Sequence, residues 1–291
     1  MPAFRFRTNQ APTGAVTDMT EVHTFTASDG ETIAYYVDDF TDPWREAPVM
    51  FLLHSAMGNS DRFYSWVPAL ARHFRLIRMD LRGHGRSSVQ APSKPLTMDR
   101  LVDDVEELMQ LLHIETMHLT ANSAGGYVAQ NMALRSAGKV LSLAVVGSTP
   151  GLSPDALTWL PRMEQEGMTK FLTDTIDMRF DLATTDAGMV DWFLRQTAEN
   201  DPAFVRRFIG YCATLNWEDQ LHRIACPTLV ILPGAETVGT AKSYEAMREH
   251  IPNVRMIAYA HMPHNIADMV PDRCVADILA FHTDKFGYPK V

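Results

Sequence analysis

The sequence predicts an α/β architecture: a mostly parallel sheet of eight strands flanked by helices, with a helical cap inserted late in the chain. Three observations carry this. Apolar runs alternate with helix-like stretches over about residues 49 to 149 and again over about 227 to 285. That is the pattern of strands joined by crossover helices that cover a parallel sheet. Runs such as 49–53 are apolar at every position, as strands buried on both faces are. Finally, the alternation breaks between about residues 153 and 223, where Met163, Phe171, Phe180, Trp192, Phe208 and Trp217 sit among helix-like stretches. The expected organisation is an N-terminal extension over 1–20, a core over 21–152 and 224–291, and a cap over 153–223.

In chain order, residues 21–25 and 32–37 flank Ser28-Asp29-Gly30 and read as a hairpin. Residues 49–53 and 74–79 are buried-strand candidates, with a helix expected over 61–72 between them. Over 98–113, Leu101, Val105, Leu108 and Leu112 recur at helical spacing, with acidic residues elsewhere. A strand is expected at 117–120, a helix at 124–134, and strands at 141–146, 228–232 and 255–260. Pro271 opens the final helix, expected over 272–281.

Composition narrows the function. A 46% apolar and 21% charged chain is an ordinary globular one. With net charge −9 and no basic run, the chain lacks the Lys/Arg clusters that sequence-independent phosphate binding needs, so no nucleic-acid partner is expected. Cys212, Cys226 and Cys274 are odd in number and far apart. They read as structural thiols in a reducing compartment. Residues 1–20 lack the apolar core of a signal peptide, and no stretch approaches the roughly 18 apolar residues of a membrane helix. The expectation is a cytoplasmic protein with a small-molecule substrate and no membrane partner; a homo-oligomer is compatible with the sequence.

Four segments carry chemistry. Leu119-Thr120-Ala121-Asn122-Ser123-Ala124-Gly125-Gly126 follows a strand and opens a helix. A serine held there on a tight turn, with small residues two before and two after it, is a nucleophile elbow. Ala121 stands where a glycine is usual. The bland alternative is a serine that caps an ordinary helix. His54-Ser55-Ala56-Met57-Gly58-Asn59-Ser60 follows the 49–53 run, and Asp80-Leu81-Arg82-Gly83-His84-Gly85-Arg86-Ser87 follows the 74–79 run. Near the end, His261-Met262-Pro263-His264-Asn265 offers two histidines after the last strand.

Together these segments resemble the α/β-hydrolase superfamily, in its serine-nucleophile branch, over roughly residues 21 to 285. The resemblance implies that Ser123 is the nucleophile and that the backbone N–H groups of Ala56 and Ala124 form the oxyanion hole. It also implies that the catalytic histidine lies seven residues before the proline of the last helix, which selects His264 over His261. His54 reads as a brace for its loop, and the Asp80–Ser87 stretch as loop architecture. The acid slot after the seventh strand holds Thr237, so Glu236, one residue earlier, is the expected acid, ahead of Asp155. Ser55, Met57, Asn122, Trp192 and His261 are expected to line the substrate pocket. No metal or organic cofactor is called for.

The loops are similar to those of enol-lactone hydrolases and small-substrate esterases, which implies an ester or lactone hydrolase working through an acyl-enzyme on a small substrate, and the Met and aromatic residues of the cap point to a largely apolar one. A serine at the elbow excludes the haloalkane and epoxide chemistry that uses a carboxylate there. Alternatives on the same fold are a carbon–carbon bond hydrolase of a β-diketone-like substrate, a cofactor-free dioxygenase and a ligand receptor.

Overall fold

A computed structural model describes residues 21–288. The expected N-terminal extension lies outside them. Among the described residues eight strands form one sheet: β1 (His23–Thr26), β2 (Thr32–Asp38), β3 (Val49–Leu53), β4 (Arg75–Met79), β5 (Met117–Asn122), β6 (Val140–Val146), β7 (Thr228–Pro233) and β8 (Val254–Tyr259). Their spatial order is β1-β2-β4-β3-β5-β6-β7-β8. β1 and β2 form the expected hairpin, β2 pairs antiparallel with β4, and every later pairing is parallel.

Among the described residues the α-helices are α1 (Val67–Leu70), α2 (Met98–Leu111), α3 (Ala124–Arg135), α4 (Trp159–Glu166), α5 (Met168–Asp174), α6 (Ala187–Ala198), α7 (Pro202–Cys212), α8 (Ala241–His250), α9 (Ile266–Met269) and α10 (Pro271–Phe286). Short 3-10 turns lie among them. None of the helices among the described residues is long and apolar enough to cross a membrane. Between β6 and β7 the described chain is helical, α4 to α7 with 3-10 turns, and contains no strand.

The apolar runs divide by alternation, as side chains on a strand must. Met50 and Leu52 pack on one face with Trp66, Phe74 and, from α10, Ile278 and Phe281. Phe51 and Leu53 pack on the other with α2, α3 and the helices between β6 and β7. Both faces are covered, which is why these strands carry no polar alternation.

The helix expected over 61–72 is not continuous. A 3-10 turn at Ser60–Phe63, capped by the Asn59 side chain, is followed by the four residues of α1. Pro68 explains the break. Its missing N–H and its ring are tolerated only in a first turn, so a helix containing it must start at about residue 67.

Three buried arginines tie loops to the sheet. Arg82 is fully buried and grips Asp104 (2.6 and 2.9 Å) and Asp29 (2.7 and 3.1 Å). Arg78 holds Asp38 at 2.6 and 3.0 Å, and Arg62 holds Asp268, with Nε donating at 2.8 Å. Removing one partner leaves an uncompensated buried charge. Asp268→Ala, which takes from Arg62 its carboxylate partner, is therefore expected to lower unfolding stability by about 3–5 kcal/mol, read as a shifted midpoint in urea.

Candidate active site

β5 ends at Asn122 and α3 begins at Ala124, with Ser123 between them at φ 49° and ψ −119°. A non-glycine residue there is strained, and such strain persists only where the surroundings enforce it. Here the Ser123 N–H donates to the Val146 carbonyl at 2.9 Å, and the Gly126 N–H donates to the Ser123 carbonyl at 2.8 Å. The reading of Ser123 as an ordinary helix cap does not hold, because its side chain caps nothing. Gly125 lets α3 close onto β3: a Cβ there would sit 2.3 Å from the Leu53 carbonyl oxygen and 2.6 Å from that of His54. Gly125→Val should therefore displace the elbow and cost about 1–3 kcal/mol of stability, seen as a lower melting temperature.

The Ser123 hydroxyl meets His264 Nε2 at 3.0 Å. His264 Nδ1 meets both carboxylate oxygens of Glu236, at 2.8 and 2.9 Å. With Nδ1 protonated and donating to Glu236, Nε2 is the acceptor that faces Ser123. Glu236 is itself fixed. It accepts from the Val238 N–H at 2.7 Å and from the Tyr244 hydroxyl at 3.2 Å. Burial alone would raise its pKa, but the charge and hydrogen bond of His264 and the Val238 and Gly239 amides outweigh burial and hold it down at about 2. A carboxyl depressed from its ordinary 4.5 stabilises the fold above that pH, and the contribution disappears as pH falls toward 2. Acid titration of unfolding stability should show a loss of roughly 3 kcal/mol in that window, absent in Glu236→Gln. Thr237, in the slot where the acid was sought first, is exposed, as is Asp155.

The turn that carries His264 is anchored by the segment before α6. The His264 N–H donates to the Met178 carbonyl at 3.3 Å, and the Asn265 N–H to the Arg179 carbonyl at 3.0 Å. On the other side of the nucleophile, His54 braces its loop as expected. Its Nε2 accepts the Leu81 N–H at 2.8 Å, which leaves Nδ1 to donate to the Ser55 carbonyl at 2.7 Å. Burial lowers its pKa and keeps it neutral. Asp80 is likewise structural: its carboxylate accepts the Ser60 N–H at 2.7 Å and the Arg86 N–H at 2.8 Å. Gly85, at φ 55°, has no room for a Cβ, which would lie 2.4 Å from that carboxylate.

A cavity of about 50 Å³ opens beside Ser123. Ala56 and Ala124 line it with Ser55, Met57 and His264. Neither alanine N–H donates to a protein acceptor among the described residues, so both are available to a developing oxyanion. Met57 sits at φ 63° in this loop.

The remaining expected pocket residues lie elsewhere. Trp192 faces a separate groove beside Tyr64 and Met189, its ring against Tyr64 and the Arg62 guanidinium, because its position on α6 turns it away from Phe193, which does line the cavity. His261 is exposed at φ 62°, in the turn after β8. Asn122 is half-buried at the end of β5 and, one residue before the turn, is not part of the lining. Most apolar residues of the 153–223 stretch, Met163, Phe171 and Phe180 among them, are interior packing. Those reaching the cavity are Trp159, Phe193, Phe208, Ile209 and Cys212. Burial pushes the Cys212 thiol up to about 12, so it stays protonated at neutral pH. Arg179 and Asn265 also line the cavity. Sequence reasoning missed both, although an arginine flanked directly by Met178 and Phe180 was a visible signal.

A family model described as the alpha/beta hydrolase fold matches residues 48–268. The chain belongs to the α/β-hydrolase fold family. Among its relatives, the 3-oxoadipate enol-lactonase 1 of Acinetobacter baylyi is 24% identical over 80% of this chain and 87% of its own length. The pimeloyl-[acyl-carrier protein] methyl ester esterase of Nitrosomonas europaea is 23% identical over 75% of this chain and 88% of its own. Among solved structures, a hydrolase from Pseudomonas aeruginosa superposes with a TM-score of 0.81 at 28% identity, over 90% of this chain and 98% of that one. This α/β-hydrolase thus keeps its likeness to esterases and an enol-lactonase across most of its length.

Proposed function

We propose that this α/β-hydrolase is a serine hydrolase that cleaves an ester or lactone through an acyl-enzyme. The observation that carries this reading is the unbroken hydrogen-bonded chain from Ser123 through His264 to Glu236, set on a strained turn at the cavity wall. His264 Nε2 takes the Ser123 proton as Oγ attacks the substrate carbonyl, and Glu236 holds the imidazolium that results. The tetrahedral oxygen lies against the Ala56 and Ala124 N–H groups at the open end of α3, where the helix dipole favours negative charge. The C–O bond then breaks, and the leaving alkoxide takes the proton from His264. Water, deprotonated by the same imidazole, attacks the acyl group and releases the acid and Ser123. The esterase and enol-lactonase names of similar proteins support the bond class, and the apolar wall of Trp159, Phe193 and Phe208 supports a small, largely apolar acyl group.

The test is turnover of p-nitrophenyl acetate and butyrate. Wild type should release p-nitrophenol with a burst whose amplitude matches enzyme concentration when deacylation is the slower step. Absence of turnover on both esters would remove the reading.

A further inference from the structure

We infer that Arg179 and Asn265 form a carboxylate-binding subsite in this cavity, so that the substrate is an ester or lactone bearing a free carboxylate beside its apolar part. This rests on the hydrolase reading above and deepens it. Four arginines are buried in the described structure: Arg62, Arg78, Arg82 and Arg179. The first three each hold a carboxylate. Arg179, 4% exposed, has none within ion-pair distance among the described residues. Its Nη1 donates to the carbonyl and hydroxyl of Thr175, at 3.0 and 3.1 Å. Both of these bonds come from Nη1, and Nε and Nη2 donate in neither.

A buried guanidinium without a counter-charge is costly, and buried charges are normally paired. Two acids act on Arg179 from a distance only: Asp177 is exposed and makes no ion pair with it, and the carboxylate of Glu236 is taken by His264, Val238 and Tyr244. Burial lowers the Arg179 pKa to about 10, which still leaves it cationic at neutral pH. A second observation points the same way. The side-chain amide nitrogen of Asn265, a residue 8% exposed, is buried with no partner, and it lines the same cavity. The two residues are coupled through the bond from the Asn265 N–H to the Arg179 carbonyl. A guanidinium with no carboxylate partner and an amide nitrogen with no acceptor thus line one cavity together with Trp159, Phe193 and Phe208. A carboxylate accepts from a guanidinium fork in two parallel bonds. The same bond to Asn265 sets Arg179 at a fixed place relative to the adjacent His264.

The test compares matched pairs that differ only in the carboxylate: monomethyl against dimethyl adipate, with the charge on the acyl side, and O-butyrylglycolate against its methyl ester, with the charge on the alcohol side. Wild type should favour the charged member of at least one pair by roughly 100-fold in kcat/KM, the worth of a desolvated charged pair. Arg179→Met should bring that ratio to near one. Arg179→Lys, which keeps the charge and loses the fork, should leave a ratio of roughly ten. The ratio is insensitive to general damage, and the lysine variant covers misfolding of the methionine one. No preference in either pair, or a preference that survives both substitutions, overturns the subsite. Adipate binding to Ser123→Ala, measured by calorimetry with and without Arg179→Met, separates the two readings. If no ester is cleaved, an Arg179-dependent adipate affinity keeps the subsite and removes only the hydrolase reading. Its absence removes the subsite.

Discussion

Replacing Ser123 with alanine is expected to lower kcat/KM for p-nitrophenyl butyrate at least about a thousandfold, and as much as about a millionfold. The size follows from what the residue does. In the proposed mechanism its Oγ forms the new bond, with Nε2 of His264 3.0 Å away to take the proton. What survives in the variant is binding and the two amide donors, which alone retain a modest rate over water. The fold should be untouched, since the hydroxyl makes no helix-cap bond and its removal leaves no buried group other than His264 short of a partner. Equal melting temperatures for wild type and Ser123→Ala would separate chemistry from damage.

The second large effect belongs to Glu236→Gln, expected to cost about 10³- to 10⁴-fold in kcat. The glutamine is nearly the same size, so the loss does not come from packing. An amide can present its NH₂ to Nδ1 of His264, which moves the ring proton to Nε2. The nitrogen facing Ser123 then donates where it should accept, and no proton can be taken. Even in the right tautomer, the imidazolium would lack the charge that Glu236 supplies at 2.8 and 2.9 Å. Because Glu236 is ionised down to about pH 2, its protonation should leave no limb in the wild-type rate profile above pH 4. Steady-state rates from pH 4 to 9 for both proteins check this. A Glu236→Gln enzyme within tenfold of wild type would mean that another group orients the ring.

The parts of this protein that local rules govern were legible in its sequence. The 49–53 run read directly because burial on both faces strips it of polar residues. The elbow read directly because only small side chains let α3 pass the Leu53 and His54 carbonyls. Choosing His264 over His261 rested on spacing to Pro271, and the geometry separates them fully: one ring touches Ser123 and Glu236, the other is exposed. Glu236 was the sole carboxylate close to the expected slot, and the fold sets it against His264. Which apolar residues face the cavity was not. Trp192 and Phe193 are chain neighbours on α6, yet only the second reaches the cavity. That assignment depends on the rotation of α6 against distant elements, which no local pattern encodes. Arg179 escaped for a related reason. Its isolation from carboxylates is a property of the folded neighbourhood, where Arg62, Arg78 and Arg82 found theirs as far away as Asp268.

Trapping the nucleophile tests the central claim most directly. Wild type, Ser123→Ala and His264→Ala would be treated with diisopropyl fluorophosphate and digested, and the peptides weighed by mass spectrometry. A single diisopropylphosphoryl adduct on Ser123 in wild type, absent in Ser123→Ala and slowed at least about a hundredfold in His264→Ala, is the predicted result. An unmodified Ser123 in active wild type, or equal labelling with and without His264, would contradict an activated serine at this elbow.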